Sequence, residues 1–238
     1  MGKPIQRNGA FSLMEAVVLL VVLALVIGGV APLAMRFAVE RKASATREVM
    51  EALHRGIVGD PDSGHFGFLG DVGRLPASLE ELVEPGGLPL YHVNNTYGVG
   101  MGWNGPYVQM TAAEARRDAF GREYGYGRRR PGQIQSAGPD GEFDTEDDLL
   151  YPPVERSYFG MVRIEIPETD ARTVRLHYAD NGVERYLEAD TPPYIFEDIH
   201  LGPHAVQVFR EDEQGEAQLV HQTLINLTSG AGVFLLNY

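Results

Sequence analysis

The sequence predicts an α+β chain: a long N-terminal helix packed on a small antiparallel β region, followed by an all-β sandwich. Three observations carry that expectation. Residues 16–35 are an unbroken run without charge, and helical periodicity continues to residue 57. Short Gly-punctuated strands fill the middle of the chain. Residues 152–238 hold alternating runs at hairpin-like spacing.

The first element opens in "NGAFSLMEAVVLL", residues 8–20. Its apolar run is long enough to cross a bilayer, since twenty residues at ~1.5 Å each give ~30 Å. Residues 17–27 are apolar on every face, which does not suit a helix with one buried stripe. Lys3 and Arg7 would suit a cleavable signal, but Pro32 stands at −3 of one candidate cut and directly after the other. The expected span is therefore uncleaved and covers residues 11–35. Glu15 sits at its mouth, where burial in lipid costs a few kcal/mol. Pro32 cannot donate to the Gly28 carbonyl, and Gly28 and Gly29 are weak helix formers, so a local soft spot is expected there.

"RFAVERKASATREVMEALHRGI" continues as an amphipathic helix, with Val39, Ala43, Met50, Leu53 and Ile57 at three- and four-residue steps. "VGDPDSG" ends it. Ser78 and Glu81 have capping-box spacing for a second short helix, stopped by Pro85, Gly86 and Gly87. "GWNGPYVQM" and "DAFGREYGYG" read as short strands. In the C-terminal part "MVRIEI", "TVRLHY", "HAVQVF", "QTLINL" and "VFLLNY" alternate, broken by "ETD", "DNG" and "DEQG".

Composition narrows function. A net charge of −13 lacks the basic footprint of a nucleic-acid binder. With no cysteine, disulfide scaffolding, thiol catalysis and Cys-ligated zinc are excluded. No catalytic constellation is found either. His200 and His204 in "HLGPH" lack the acid of an HExxH helix, Ser136 is not in a nucleophile elbow, and "YGVGMGWNG" lacks a strand–helix context. A non-enzymatic role is expected. The acidic loop is the one site with chemistry: Asp140, Glu142, Asp144, Glu146, Asp147 and Asp148 lie close together between tight Gly turns. Calcium takes six to eight oxygens, which such a loop can supply, although Thr145 replaces the Gly of an EF-hand. Composition alone leaves a calcium site and a solvated surface run equally open.

"GAFSLMEAVVLL" resembles the processing site of type IV pilins and type II secretion pseudopilins, with Ala10 before the scissile bond and Phe11, Leu13 and Glu15 after it. The usual Gly before the cut is Ala10 here. Pro32 falls where helices of that family carry a proline. "WNGPY" at 103–107, "DAFGREY" at 118–124 and "SAGPDGEFDTEDDLLY" resemble, in that order, the core of the major pseudopilin, the G subunit. Ala119 and Phe120 depart from its usual Pro and Trp. The resemblance covers about residues 9–151. It implies a leader at 1–10, a transmembrane helix at 11–35, a periplasmic pilin-fold domain at 36–151, and processing by prepilin peptidase with N-methylation at Phe11. Glu15 would pair with the new amine of a neighbouring subunit, and Pro32 would mark the soft spot of the assembled helix. Calcium would be held by Asp140, Asp147 and Asp148, with carbonyls from 136–143. Within residues 152–238, "FEDIHLGPHAVQVF" resembles prealbumin-like or carboxypeptidase-regulatory domains.

The implied function is a structural subunit of a type II secretion pseudopilus. Its implied partners are copies of itself, other pseudopilins, prepilin peptidase and the inner-membrane platform. It would sit single-pass in the inner membrane with a cytoplasmic N-terminus. A type IV or minor tip pilin whose C-terminal domain binds a surface is the alternative.

Overall fold

The computed structural model describes residues 12–166 and 172–236, the side chains of 26–31 excepted. Helix α1 runs Leu13–Val58. Ser12 starts it: its hydroxyl and carbonyl both accept from the Glu15 N–H, at 3.2 and 3.0 Å. Pro32 lies inside α1, which continues on both sides of it, so the soft spot expected there is not a break. The chain packs as two units, Met1–Ser44 and Ala45–Tyr238. In the first, Leu13, Met14, Leu20, Leu25, Leu33, Met35 and Phe37 are all more than half exposed. Among the described residues no helix is long and apolar enough to cross a membrane. The span expected over 11–35 includes residue 11 and the side chains of 26–31, which lie outside that description.

In the second unit the end of α1 buries Met50, Leu53 and Ile57 fully, at the spacing that puts them on one face. Helix α2 (Gly67–Val72) adds Phe68, Leu69 and Val72 to that core. A 3₁₀ turn at Leu79–Leu82 stands where a capped helix was expected. Ser78 makes no side-chain cap, because Glu81 instead accepts from the Ala77 N–H at 2.9 Å and from the Arg74 guanidinium at 2.8 and 3.1 Å. Strands β1 (His92–Val93) and β2 (Gly100–Met101) form a hairpin. Helix α3 (Ala112–Arg116) carries a capping box, between Thr111 and Glu114. Strands β3 (Gly125–Tyr126), β4 (Ile134–Ser136) and β5 (Leu149–Tyr151) make a small antiparallel sheet.

The larger sheets come from later sequence. They comprise β6 (Phe159–Glu165), β7 (Thr173–Asp180), β8 (Val183–Ala189), β9 (Tyr194–His200), β10 (Gly202–Glu211), β11 (Ala217–Leu227) and β12 (Ala231–Leu235). One sheet has the order β11-β10-β7-β8 and the other β12-β6-β9, with β12 parallel to β6. Alternate residues of both sheets form a shared core: Val162 and Ile164, Val174 and Leu176, Tyr194 and Phe196, Val206 and Val208, Ile225 and Leu227. Each such side chain contributes about 1.5–3 kcal/mol by leaving water.

These elements overturn the expected fold class. The described residues hold twelve strands in four sheets, and every helical segment after α1 is six residues or shorter. An α+β pilin fold, with one antiparallel region under a long helix and a separate sandwich, is not what forms. The physical reason lies in the middle third. "GWNGPYVQM" and "DAFGREYGYG" were expected as strands, but Gly and Pro interrupt their ladders: the first keeps only an isolated bridge at Trp103, and the second an isolated bridge at Glu123 and the two residues of β3.

Packing also crosses the boundary expected at 151–152. Gly73 caps α2 at φ 83°, and a Cβ there would meet the Ala179 carbonyl oxygen at 1.8 Å. The Val72 carbonyl accepts from the Gly182 N–H at 2.8 Å. Tyr97, Val99 and Met101 of the β1–β2 hairpin pack with Ala179 of β7 and Ala205 of β10. His54 on α1 lies 3.1 Å from the Tyr158 hydroxyl.

Candidate functional site

Between β4 and β5 the acidic loop folds on its own carboxylates. Asp140 Oδ1 accepts from the Glu142 N–H at 2.8 Å. Asp147 Oδ2 accepts from the Asp140 N–H at 3.1 Å, and its Oδ1 accepts from the Thr145 hydroxyl at 2.7 Å. The Thr145 hydroxyl, more than any other donor, holds Asp147 below the usual carboxylate range. Asp148 turns the other way. Its Oδ2 accepts from Gln135 Nε2 at 2.6 Å and from the Asp144 N–H at 2.7 Å.

Arginines from outside the loop balance this charge. Arg122 donates to the Gly138 carbonyl at 2.5 Å. Gly141 is in the left-handed region at φ 81°, and a Cβ there would meet the Arg122 guanidinium carbon at 2.2 Å. Arg129 pairs with Asp144 at 2.8 Å, and Arg128 stands 3.7 Å from the same carboxylate while lying over the Phe143 ring. The Arg129 bond is the main reason Asp144 titrates below its usual range.

The structure thus brings Asp140 and Asp147 together and points Asp148 at Gln135. Among the described residues no three carboxylate or imidazole side chains converge as a metal cluster. Asp148 Oδ1 and Gln135 Oε1 are buried without a hydrogen-bond partner. Of the other residues singled out, Ala10 and Phe11 lie outside the described residues. Glu15 lies in the first turn of α1, on an exposed stretch.

The "WNGPY" stretch is a structural joint. Trp103 Nε1 donates to the Glu81 carbonyl at 2.6 Å, and the Tyr107 ring packs edge-on against Phe68 and Trp103. Its Tyr107 hydroxyl accepts from the Asn104 N–H at 2.9 Å and donates to Asp71 Oδ2 at 3.1 Å. Asp71 opens on a cleft of about 580 Å³ that also meets His65, Tyr91 and Arg55. Burial pushes the Asp71 carboxyl up to about 6, against the Tyr107 and Asn104 bonds that lower it. Sequence reasoning missed Asp71 altogether, since a lone acid in "FLGDVG" carries no motif. It also took His200 and His204 only as a pair without the acid of an HExxH helix. The structure sets His200 and His204 edge-on with ring centroids 4.7 Å apart and buries both. Burial pulls them down to about 4 and about 3.

No protein-family model, no curated protein and no solved structure matches the chain.

Proposed function

We propose that this chain is a pseudopilin-type structural subunit that assembles through the first half of α1, in a secretion filament anchored at the inner membrane. The observation that supports this reading is the exposed aliphatic surface of α1. Leu13, Met14, Leu20, Leu25, Leu33 and Met35 have more than half their area uncovered, far beyond the scattered apolar residues of an ordinary surface. Helices of neighbouring copies, with lipid around them, are the cover that such a surface fits. Glu15 sits at the start of that surface. A carboxylate there is tolerable when paired with a cation, and the amine freed by cleavage before Phe11 is such a partner.

Expression in a host with prepilin peptidase tests this reading. Intact mass is expected to show a chain that begins at Phe11 and carries one methyl group. Glu15→Ala is expected to be processed and inserted normally but to give few sheared or cross-linked filaments. An unprocessed chain, or wild-type filament yield from Glu15→Ala, would refute the assembly role.

Within that reading the acidic loop takes calcium. Asp140, Asp147 and Asp148 would hold it, and the unpartnered Asp148 oxygen is the feature that supports the assignment. Calcium would neutralise the crowded carboxylates and fix the turn between β4 and β5. Ligand at ~100 times its dissociation constant adds ~2.7 kcal/mol. The melting midpoint is expected to rise by several degrees in calcium relative to chelator, and less in magnesium. Asp148→Ala should abolish most of the rise. Equal midpoints in chelator and calcium would show that Arg122, Arg128 and Arg129 suffice to close the loop.

A further inference from the structure

A cleft of about 340 Å³ opens where the chain passes from β5 into β6. Its walls are held from several sides. Gln133 Nε2 donates to the Pro152 carbonyl at 3.0 Å, and the Tyr158 carbonyl accepts from the Leu201 N–H at 3.0 Å. Gly132, left-handed at φ 70°, lies against the Tyr158 ring, where a Cβ would come within 2.6 Å. Two guanidinium groups border the cleft, Arg130 and Arg156, and Glu155 is the only carboxylate that lines it. The preceding Arg128 and Arg129 are taken by Asp144, whereas Arg130 and Arg156 form no ion pair among the described residues. The same cleft exposes the apolar side chains of Val154 and Phe159.

The opposite charge stands at the other end of β10. Residues 210–216, "REDEQGE", hold four acids to one arginine at the turn into β11. Asp212 is committed to that turn: its Oδ1 accepts from the Gln214 and Glu216 N–H groups at 2.9 and 2.8 Å, and its Oδ2 from Gln218 Nε2 at 3.1 Å. Glu211, Glu213 and Glu216 are left exposed around it, and none forms an ion pair among the described residues. β10 begins at Gly202, next to the Leu201–Tyr158 bond that borders the cleft, and its ten residues end at Glu211. At ~3.4 Å per residue the tip stands about 30 Å from the cleft. Charges that far apart are screened from each other, since the Debye length at physiological salt is about 8 Å. Within one chain the two cannot meet.

We propose that the cleft receives the β10–β11 tip of a second copy of the chain, so that copies join head to tail along the direction of β10. The tip carboxylates of one copy pair with Arg130 and Arg156 of the next, and the tip covers Val154 and Phe159. A second copy is the occupant because the chain itself carries the complementary charge, exposed, unpaired and out of its own reach. Even the minority charges, Arg210 on the tip and Glu155 in the cleft, are of opposite sign. A net charge of −13 pushes copies apart in general, which favours a contact that matches opposite charges over one between other faces. The contact is heterologous: a joined pair still presents a free cleft at one end and a free tip at the other, and so can grow as an open chain. Its use in a secretion filament rests on the function proposed above, but the contact itself does not involve the first half of α1.

Cross-linking of the full chain in detergent, at one chain per micelle, tests the contact with the α1 helices dispersed, so its failure is distinct from failure of the filament. The chain has no cysteine, so Val154→Cys and Gln214→Cys introduce the only two thiols. A short bis-maleimide is expected to give a ladder of dimers, trimers and longer species from chains that carry both. A mixture of the two single variants is expected to stop at dimers. Adding Arg130→Glu and Arg156→Glu should cut the ladder about fivefold, the effect of losing two exposed ion pairs. Adding Glu211→Arg and Glu213→Arg to that same chain should restore it, because the charges again match. An internal bridge within the monomer, doubly substituted chains that stop at dimers, a missing ladder, or a ladder indifferent to the charge reversals would each overturn the proposal.

Discussion

Asp71 shows what one side chain does when its solvent is taken away. Two donors reach its carboxyl, yet burial outweighs them and lifts it from 3.8 to about 6. The folded protein takes up this proton near pH 6, whereas the unfolded chain waits until about pH 3.8. The group therefore stabilises the fold progressively as pH falls from 6 to 4, and costs stability above that window. About two pKa units correspond to roughly 3 kcal/mol at most. Asp71→Asn keeps an acceptor for the Tyr107 hydroxyl and removes the charge. It is expected to raise the melting midpoint at pH 7.5 and to change it little at pH 4.5. A variant that melts lower at both pH values would show that the carboxylate itself is needed for the Tyr107–Asn104 joint.

At the scale of elements, the join between α2 and β7 is close enough to exclude a methyl group. A Cβ on Gly73 meets backbone, not a flexible side chain, and the residue is also left-handed at φ 83°. Gly73→Ala is expected to cost about 1–3 kcal/mol, read as a lower denaturant midpoint with an unchanged slope. A cost under a few tenths of a kcal/mol would mean that the join relaxes freely. This join was not visible in the sequence, because it depends on a contact between residues more than a hundred positions apart. The strands of the larger sheets were more legible. "TVRLHY", "HAVQVF" and "QTLINL" alternate cleanly and lie within β7, β10 and β11. β8 and β9 escaped notice because "VERYLEA" is largely exposed on both faces and "YIFEDIH" breaks its alternation at Asp198, where φ is 57°. In the acidic loop the cluster of acids could be read directly. Arg122, which closes it, comes from sixteen residues upstream of Gly138 and had no signal of its own.

Over the whole molecule, buried imidazoles decide the response to acid. Burial lowers His54 to about 4, His200 to about 4 and His204 to about 3, each from 6.5. The folded protein keeps them neutral while the unfolded chain protonates all three below pH 6.5. Their contribution is therefore complete above that value and is lost as pH falls. Asp71 works in the opposite sense, but it is one group against three. A net loss on the order of 5 kcal/mol by pH 4 is a large share of the stability of a typical domain. Denaturant midpoints should drop steeply from pH 6.5 to pH 4, and His204→Leu should blunt the drop. A flat profile would mean that these rings become charged without unfolding the chain.

The parallel pairing of β12 with β6 has a mechanical consequence. Five residues of each strand match in register, from Ala231 with Met161 to Leu235 with Glu165. Both strands run the same way, so tension applied between the chain entering β6 and the chain leaving β12 slides one along the other. The evenly spaced bonds of a parallel ladder then bear the load together. Peeling them one at a time would require pulling both strands from the same end. β12 thus acts as a shear lock, and the sheet pulled along that direction resists as a unit.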